Sequence, residues 1–261
     1  MKCLLVFIGQ SFRDGSQYSI NHDTMNSILG QQKASESHIN FIKNLISKNY
    51  NVDIIINTYK SKYLNLLLDW YNIPNTILHK INYYDKLLGL NILLQASITN
   101  INIDDYDFIY FIRIDLCLSQ LFIDSFLPKP DKIIFPFRLW NKHKSDITPL
   151  CDVMVYVPKK FFSIIDKIVL YHTMLNHYLT FLSNNDIELI INTIHDSDSE
   201  KDYNPLYYMV SRKRNLTWYS INNIIDKTNY NIISVLNLEE DDNEYNKILS
   251  YYMNELKILS N

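Results

Sequence analysis

The chain has 261 residues, 47% of them hydrophobic, which is ample for a core and allows one large domain or two small ones. Its 25 basic and 28 acidic side chains give a formal net charge of -3, so the broad positive field needed for sequence-independent nucleic-acid binding is missing and no nucleic-acid partner is expected. Three cysteines, Cys3, Cys117 and Cys151, odd in number and without CxxC spacing, argue against a disulfide framework and a cysteine zinc site and fit a reducing compartment.

The apolar run in MKCLLVFIG is too short for a signal-peptide core, and no segment approaches the roughly 18 unbroken apolar residues of a membrane span. The expectation is a cytoplasmic protein. KCLLVFI (2–8) and VDIIIN (52–57) are short Val- and Ile-rich runs between polar loops, as buried parallel strands are. Between them, SESHINFIKNLISKNY (35–50) sets Ile39, Ile42, Leu45 and Ile46 at helical spacing behind a Ser/Glu start, which completes a strand-helix-strand unit.

The alternation continues. SKYLNLLLDWYN (61–72) reads as a helix, TILHKI (76–81) as a strand, YDKLLGLNILLQASI (84–98) as a helix and DFIYFIRI (107–114) as a strand. KIIFPF (132–137) and DVMVYV (152–157) read as further strands. After Pro158, KKFFSIIDKIVLYHTMLNHYLTFL (159–182) carries an apolar stripe for one long helix, and DIELIINTIH (186–195), NPLYYMVSR (204–212) and YNKILSYYMNELKIL (245–259) read as shorter ones. With no repeat or linker, residues 1–261 form one α/β domain, with an alternating half over 1–118 and a more helical half over 119–261.

Ligands of open α/β sheets bind where loops leave the carboxyl ends of strands, and three such ends carry polar groups. In FIGQSFRDGS, Gly9 permits a tight exit, Gln10 offers an amide to a base or ribose, and Arg13 can take a phosphate bidentately; an ordinary surface loop would read the same way. In IIINTYKS, Asn57, Thr58 and Tyr59 either meet an aromatic base or cap the next helix. In FIRIDL, alternation along a strand puts Arg113 and Asp115 on one face, where Asp115 is a hard-oxygen ligand for Mg²⁺ or Mn²⁺ beside a diphosphate, or half of a structural Arg-Asp contact.

Taken in order, FIGQSFRDG, VDIIINTY and DFIYFIRIDL resemble the corresponding segments of glycosyltransferases of the nucleotide-diphospho-sugar (GT-A) fold found in large DNA viruses and bacterial polysaccharide clusters. The resemblance covers the first 120 residues or so and implies a Rossmann-type, mixed and mostly parallel sheet flanked by helices. It implies a UDP- or GDP-sugar donor, a glycan or glycoprotein acceptor and, for a viral chain, a place in the host cytoplasm or the virion. Gly9, Gln10, Arg13, Thr58 and Tyr59 would surround the donor nucleotide. Asp115 falls on the last Asp of the family's Asp-x-Asp pattern and implies a divalent metal, Mn²⁺ or Mg²⁺. Arg113 stands where the first Asp would be, so a cation of the chain's own meets the diphosphate and metal dependence would be partial or absent.

CDVMVYVPKKFF resembles the Asp-headed strand and helix that line the acceptor side in that family, which makes Asp152 the candidate general base; an Asp before a strand is also an ordinary turn residue. HDSDSEKDYNPLYYMVSR resembles a late loop that supplies a metal ligand or acceptor contacts, with His195 the metal candidate and Asp198 the catalytic one, unless this is a solvated acidic loop before a Pro-started helix. Two other readings stay open: a sugar nucleotidyltransferase, and a non-catalytic carbohydrate-binding or interaction protein of the same fold.

Overall fold

A computed structural model describes residues 1–14, 21–22, 25–84, 90–99, 101–136, 138–139, 153–165, 168, 184–189, 194–195 and 207–209. The strands are β1 (Lys2–Ile8), β2 (Arg13–Asp14), β3 (Asn21–His22), β4 (Asn51–Tyr59), β5 (Thr76–Tyr84), β6 (Phe108–Arg113), β7 (Leu116–Leu118), β8 (Ile133–Phe135), β9 (Arg138–Leu139), β10 (Met154–Pro158), β11 (Ile187–Leu189), β12 (Ile194–His195) and β13 (Tyr207–Met209). The helices are α1 (Met25–Ser47), α2 (Leu64–Tyr71), α3 (Leu90–Thr99) and α4 (Gln120–Ser125). Seven strands form one sheet in the order β11-β8-β10-β6-β1-β4-β5. β4, β1 and β6 run parallel side by side, with Ile8 opposite both Asn57 and Arg113. β10 is antiparallel to β6 and β8, which makes the sheet mixed and mostly parallel, as the sequence implied.

The central strands read as unbroken apolar runs because both of their faces are covered. In β1, Cys3, Leu5 and Phe7 enter one core, while Leu4, Val6 and Ile8 enter the other. In β6, Phe108, Tyr110 and Ile112 take the first side, and Ile109 and Phe111 the second. The first core is closed by Phe41, Ile42 and Leu45 of α1, Leu67 and Tyr71 of α2, and Phe122 of α4. The second is closed by Ile98 of α3 and by Phe161 and Phe162 of a 3-10 turn, Lys159–Ile164. No helix among the described residues is long and apolar enough to cross a membrane.

Several elements differ from the sequence reading. α1 begins at Met25, ten residues before the expected Ser/Glu start. Ser35 and Ser37 lie inside it and are buried, and Ser37 Oγ donates back to the Ala34 carbonyl (2.7 Å) instead of capping a helix end. Residues 159–164 form a 3-10 turn where a long helix was expected to start. DIELIINTIH contributes strands β11 and β12, and NPLYYMVSR contributes β13. These segments are short and rich in Ile and Tyr, so their apolar pattern does not separate helix from strand, and pairing decides: β11 lies parallel to β8, β12 to β9, and β13 antiparallel to β7. The expected closing helix at 245–259 lies outside the described residues.

Candidate functional site

The carboxyl ends of β1, β4 and β6 are adjacent, so the three polar strand ends picked out in the sequence meet at one edge. Gly9 leaves β1 at φ +112°, where L side chains are disfavoured, and its N–H donates to the Asn57 carbonyl (3.1 Å). A Cβ there would meet only Ile114 Cγ2, at 4.0 Å, so glycine is required by conformation and not by space.

The next residues turn inward: Gln10, Ser11 and Phe12 are all buried. Ser11 N–H donates to Thr58 Oγ1 (3.1 Å), whose own hydroxyl donates to Ser11 Oγ (2.8 Å). Thr58 therefore fastens the loop that follows β1. Phe12 sits at φ +51°, a strained position for a bulky residue costing about 1–2 kcal/mol. Ring contacts with Tyr63 (5.7 Å) and Trp70 (6.0 Å) and an N–H bond to Gln31 Oε1 (3.3 Å) hold it there. Half-buried Arg13 follows. Asn57 is spent on the fold, its Nδ2 donating to the Leu93 carbonyl (3.0 Å) and to Ser97 Oγ, which ties β4 to α3.

At the end of β6, Arg113 and Asp115 form a bidentate pair: Nε donates to Oδ1 (2.9 Å) and Nη2 to Oδ2 (2.7 Å). The Asp115 side chain is 1% exposed and that of Arg113 15%. The turn between them is held from two sides, as Ile114 N–H donates to the Ile8 carbonyl (2.7 Å) and the Ile114 carbonyl accepts from Gln31 Nε2 (3.0 Å). Tyr59, half-buried at the end of β4, lies within the field of Arg113; burial raises its phenol, and the nearby guanidinium opposes that rise. Arg113 N–H donates to the carbonyl of Val153 (3.0 Å), the residue after Asp152.

Asp152 and Asp198 lie outside the described residues. His195 is described in its backbone only, paired with Leu139. Both oxygens of Asp115 already accept from a guanidinium, and no group of three or more His, Cys, Asp or Glu among the described residues is arranged to hold a metal.

Gln31 and His38 were not singled out in the sequence. His38 is fully buried, stacks on Phe7 at 4.4 Å, and its Nδ1 lies 2.6 Å from Tyr71 Oη. A directed chain fits these contacts: Gln31 Nε2 donates to Ser35 Oγ (3.4 Å), Ser35 to Tyr71, and Tyr71 to His38 Nδ1. His38 Nε2–H then faces the Leu116 carbonyl without a well-formed hydrogen bond. Burial pulls the imidazole down to about 3 against the opposing effects of the Leu116 carbonyl and the Asp115 charge, so it is neutral. The signal available in the sequence was polar Gln31, Ser35 and His38 recurring at helical spacing beside apolar Phe41 and Ile42.

The fold is GT-A-like, a mixed, mostly parallel sheet between helices, and it is shared with a solved nucleotidyltransferase. The solved inositol-1-phosphate CTP transferase from T. maritima is similar over 88% of this chain and 97% of its own, at a TM-score of 0.52 and 10% identity. A glycosyltransferase involved in glycosylation of the major capsid of PBCV-1 matches over 70% of each chain at a TM-score of 0.30 and 10% identity. A Drosophila beta-1,4-galactosyltransferase 7 mutant in complex with manganese, UDP-Gal and xylobiose matches over 80% of this chain and 69% of its own, at 0.31 and 14%. At 10% identity, the likeness to the T. maritima enzyme is one of fold. No family model matches the chain, and no curated protein does.

Proposed function

We propose that this protein is a glycosyltransferase that takes a sugar from a nucleoside-diphosphate donor, a UDP- or GDP-sugar, and passes it to a hydroxyl of a glycan or glycoprotein. The reading is carried by one observation: an Arg113-Asp115 pair, its carboxylate buried and its guanidinium partly exposed, beside Tyr59 and the Gly9–Arg13 loop, at the edge of the sheet where open α/β folds leave room for a ligand. Tyr59 and Gln10 suit a base or ribose, and Arg13 and Arg113 a diphosphate.

Arg113 is the electrostatic centre of the reaction. Asp115 fixes two of the five guanidinium N–H groups, so the cation is held in place before substrate arrives and its charge offsets that of the departing diphosphate. Asp152 is assigned as the base that accepts the proton of the attacking hydroxyl, with Asp198 and His195 on the acceptor side. A divalent cation arriving with the donor would share Asp115 with Arg113, whose own charge already serves the diphosphate, so donor binding is expected to depend little on metal.

Calorimetry with UDP, GDP and their sugars, with and without Mn²⁺, tests this. Binding that survives chelation and is lost in Arg113→Met supports the reading, and no binding of any nucleotide ends it. Pyrophosphate release from a nucleoside triphosphate and a sugar phosphate would instead make the protein a nucleotidyltransferase. Donor binding without hydrolysis or transfer would make it a binding protein.

A further inference from the structure

The two loops that build the proposed donor site come from strands 100 residues apart in the chain, and one side chain spans them. Gln31, 1% exposed on α1, accepts from Phe12 N–H through Oε1 (3.3 Å) and donates through Nε2 to the Ile114 carbonyl (3.0 Å). Phe12 lies between Ser11 and Arg13 in a strained left-handed conformation, and Ile114 lies between Arg113 and Asp115. An amide offers an acceptor and a donor side by side without carrying charge, which is what a backbone N–H and a backbone carbonyl together require.

We propose that Gln31 is a positioning residue that sets the distance between the Gly9–Arg13 loop and the Arg113-Asp115 turn, so that the arginines of both address one ligand. This rests on the donor reading above for its ligand, but the latch is a property of the free protein. Gln31 is itself steadied by Ser35, which passes the hydrogen-bond chain to Tyr71 and His38, so the buried polar face of α1 acts as one jig. Ser37 continues it, its Oγ accepting from Leu118 N–H (2.9 Å) at the far end of the same segment.

The test uses the full chain and two variants. Gln31→Met keeps the volume and removes both bonds. In Gln31→Glu the ionised carboxylate keeps the acceptor for Phe12 N–H but faces the Ile114 carbonyl with an oxygen, whereas the protonated acid restores a donor. The charged or titratable groups around it are Arg13 after β1, Arg113 and Asp115 after β6, His38 on the same helix and Tyr71 on α2. All are present in wild type, whose own pH profile is subtracted.

Hydrogen exchange on the free proteins should show faster exchange in residues 9–13 and 113–118 together in Gln31→Met, with β4 and β5 unchanged. Faster exchange in one segment alone, or in neither, overturns the latch. With UDP or GDP as probe, Gln31→Met should bind about tenfold more weakly, the scale of one or two lost hydrogen bonds. Gln31→Glu should be equally weak near pH 8 and recover towards wild type as the pH falls to about 6, because a buried carboxyl takes up its proton early. A pH-independent defect in Gln31→Glu would overturn the donor role. If wild type binds no nucleotide, the donor reading falls, while the exchange result still decides the latch.

Discussion

His38 makes stability sensitive to mild acid in a calculable way. Its imidazole is completely buried, stacked on Phe7 and hydrogen-bonded to Tyr71, with burial pulling it down to about 3. In the unfolded chain it titrates near 6.5. The folded value is depressed, so the unfolded state binds the extra proton, and stability falls as the pH drops below about 6.5, bottoming out near 3. The loss attributable to this residue is about 2 kcal/mol at pH 5 and approaches about 5 kcal/mol near pH 3. Urea denaturation at about pH 7.5 and pH 5 should show wild type losing about 2 kcal/mol more than His38→Gln, whose amide oxygen still accepts from Tyr71. In the NMR spectrum, one histidine ring should fail to titrate down to about pH 4. Equal losses in the two proteins, or seven rings all titrating near 6.5, would show that His38 takes a proton in place and that its burial is not what the packing implies.

Arg113→Met leaves the Asp115 carboxylate, 1% exposed, without its guanidinium; the expected loss is about 3–5 kcal/mol by urea denaturation, and a loss under about 1 kcal/mol would mean that the pair is screened by water. Gly9→Ala forces an L residue to φ +112° in otherwise open space and should cost at least about 1 kcal/mol, read as a lower melting temperature; an unchanged melt would place the glycine's value elsewhere. Asp53, buried at the opposite edge of the sheet, pairs with Lys2 Nζ (3.0 Å), His79 Nε2 (2.8 Å) and Tyr106 Oη (2.8 Å). Burial alone would raise its carboxyl, but these donors together hold it below the usual carboxylate range. Its contribution is therefore full above about pH 4 and lost below, so Asp53→Asn should cost about 1–3 kcal/mol at pH 7, with the gap to wild type closing in stronger acid.

The alternating half of the fold was legible because burial on both faces writes itself into the sequence as runs such as VDIIIN and DFIYFIRI, and because the loops between runs are polar. The polar strand ends were legible because a charge after five apolar residues needs either water or a partner, and Asp115, buried, has Arg113. What could not be read was partnership. Thr58 shares its hydroxyl with Ser11, and Asn57 gives its amide to α3. Those pairings join residues 47 and 36 positions apart, which no local pattern encodes. The strands β11, β12 and β13 were missed for a related reason, since two or three residues become strand only when a distant segment offers an edge.

The same distinction bears on the departure at Arg113. Two carboxylates at this edge would repel each other and stay poised for a cation, so an Asp-x-Asp site is incomplete without one. Exchanging one carboxylate for a guanidinium makes the pair neutral, with the buried carboxylate 2.7 Å from a partly buried guanidinium. On the proposed reading, a site of that kind needs no ligand for its stability and would offer an incoming diphosphate a cation whose position is already fixed. The cost falls on exchange: any group that displaces Asp115 from Arg113 must leave a carboxylate with 1% exposure properly paired. Ligands that share the guanidinium are therefore favoured over ligands that capture the carboxylate. In the proposed donor site, phosphate oxygens are of the first kind and divalent cations of the second, so the Arg113-Asp115 geometry would set the order in which they compete.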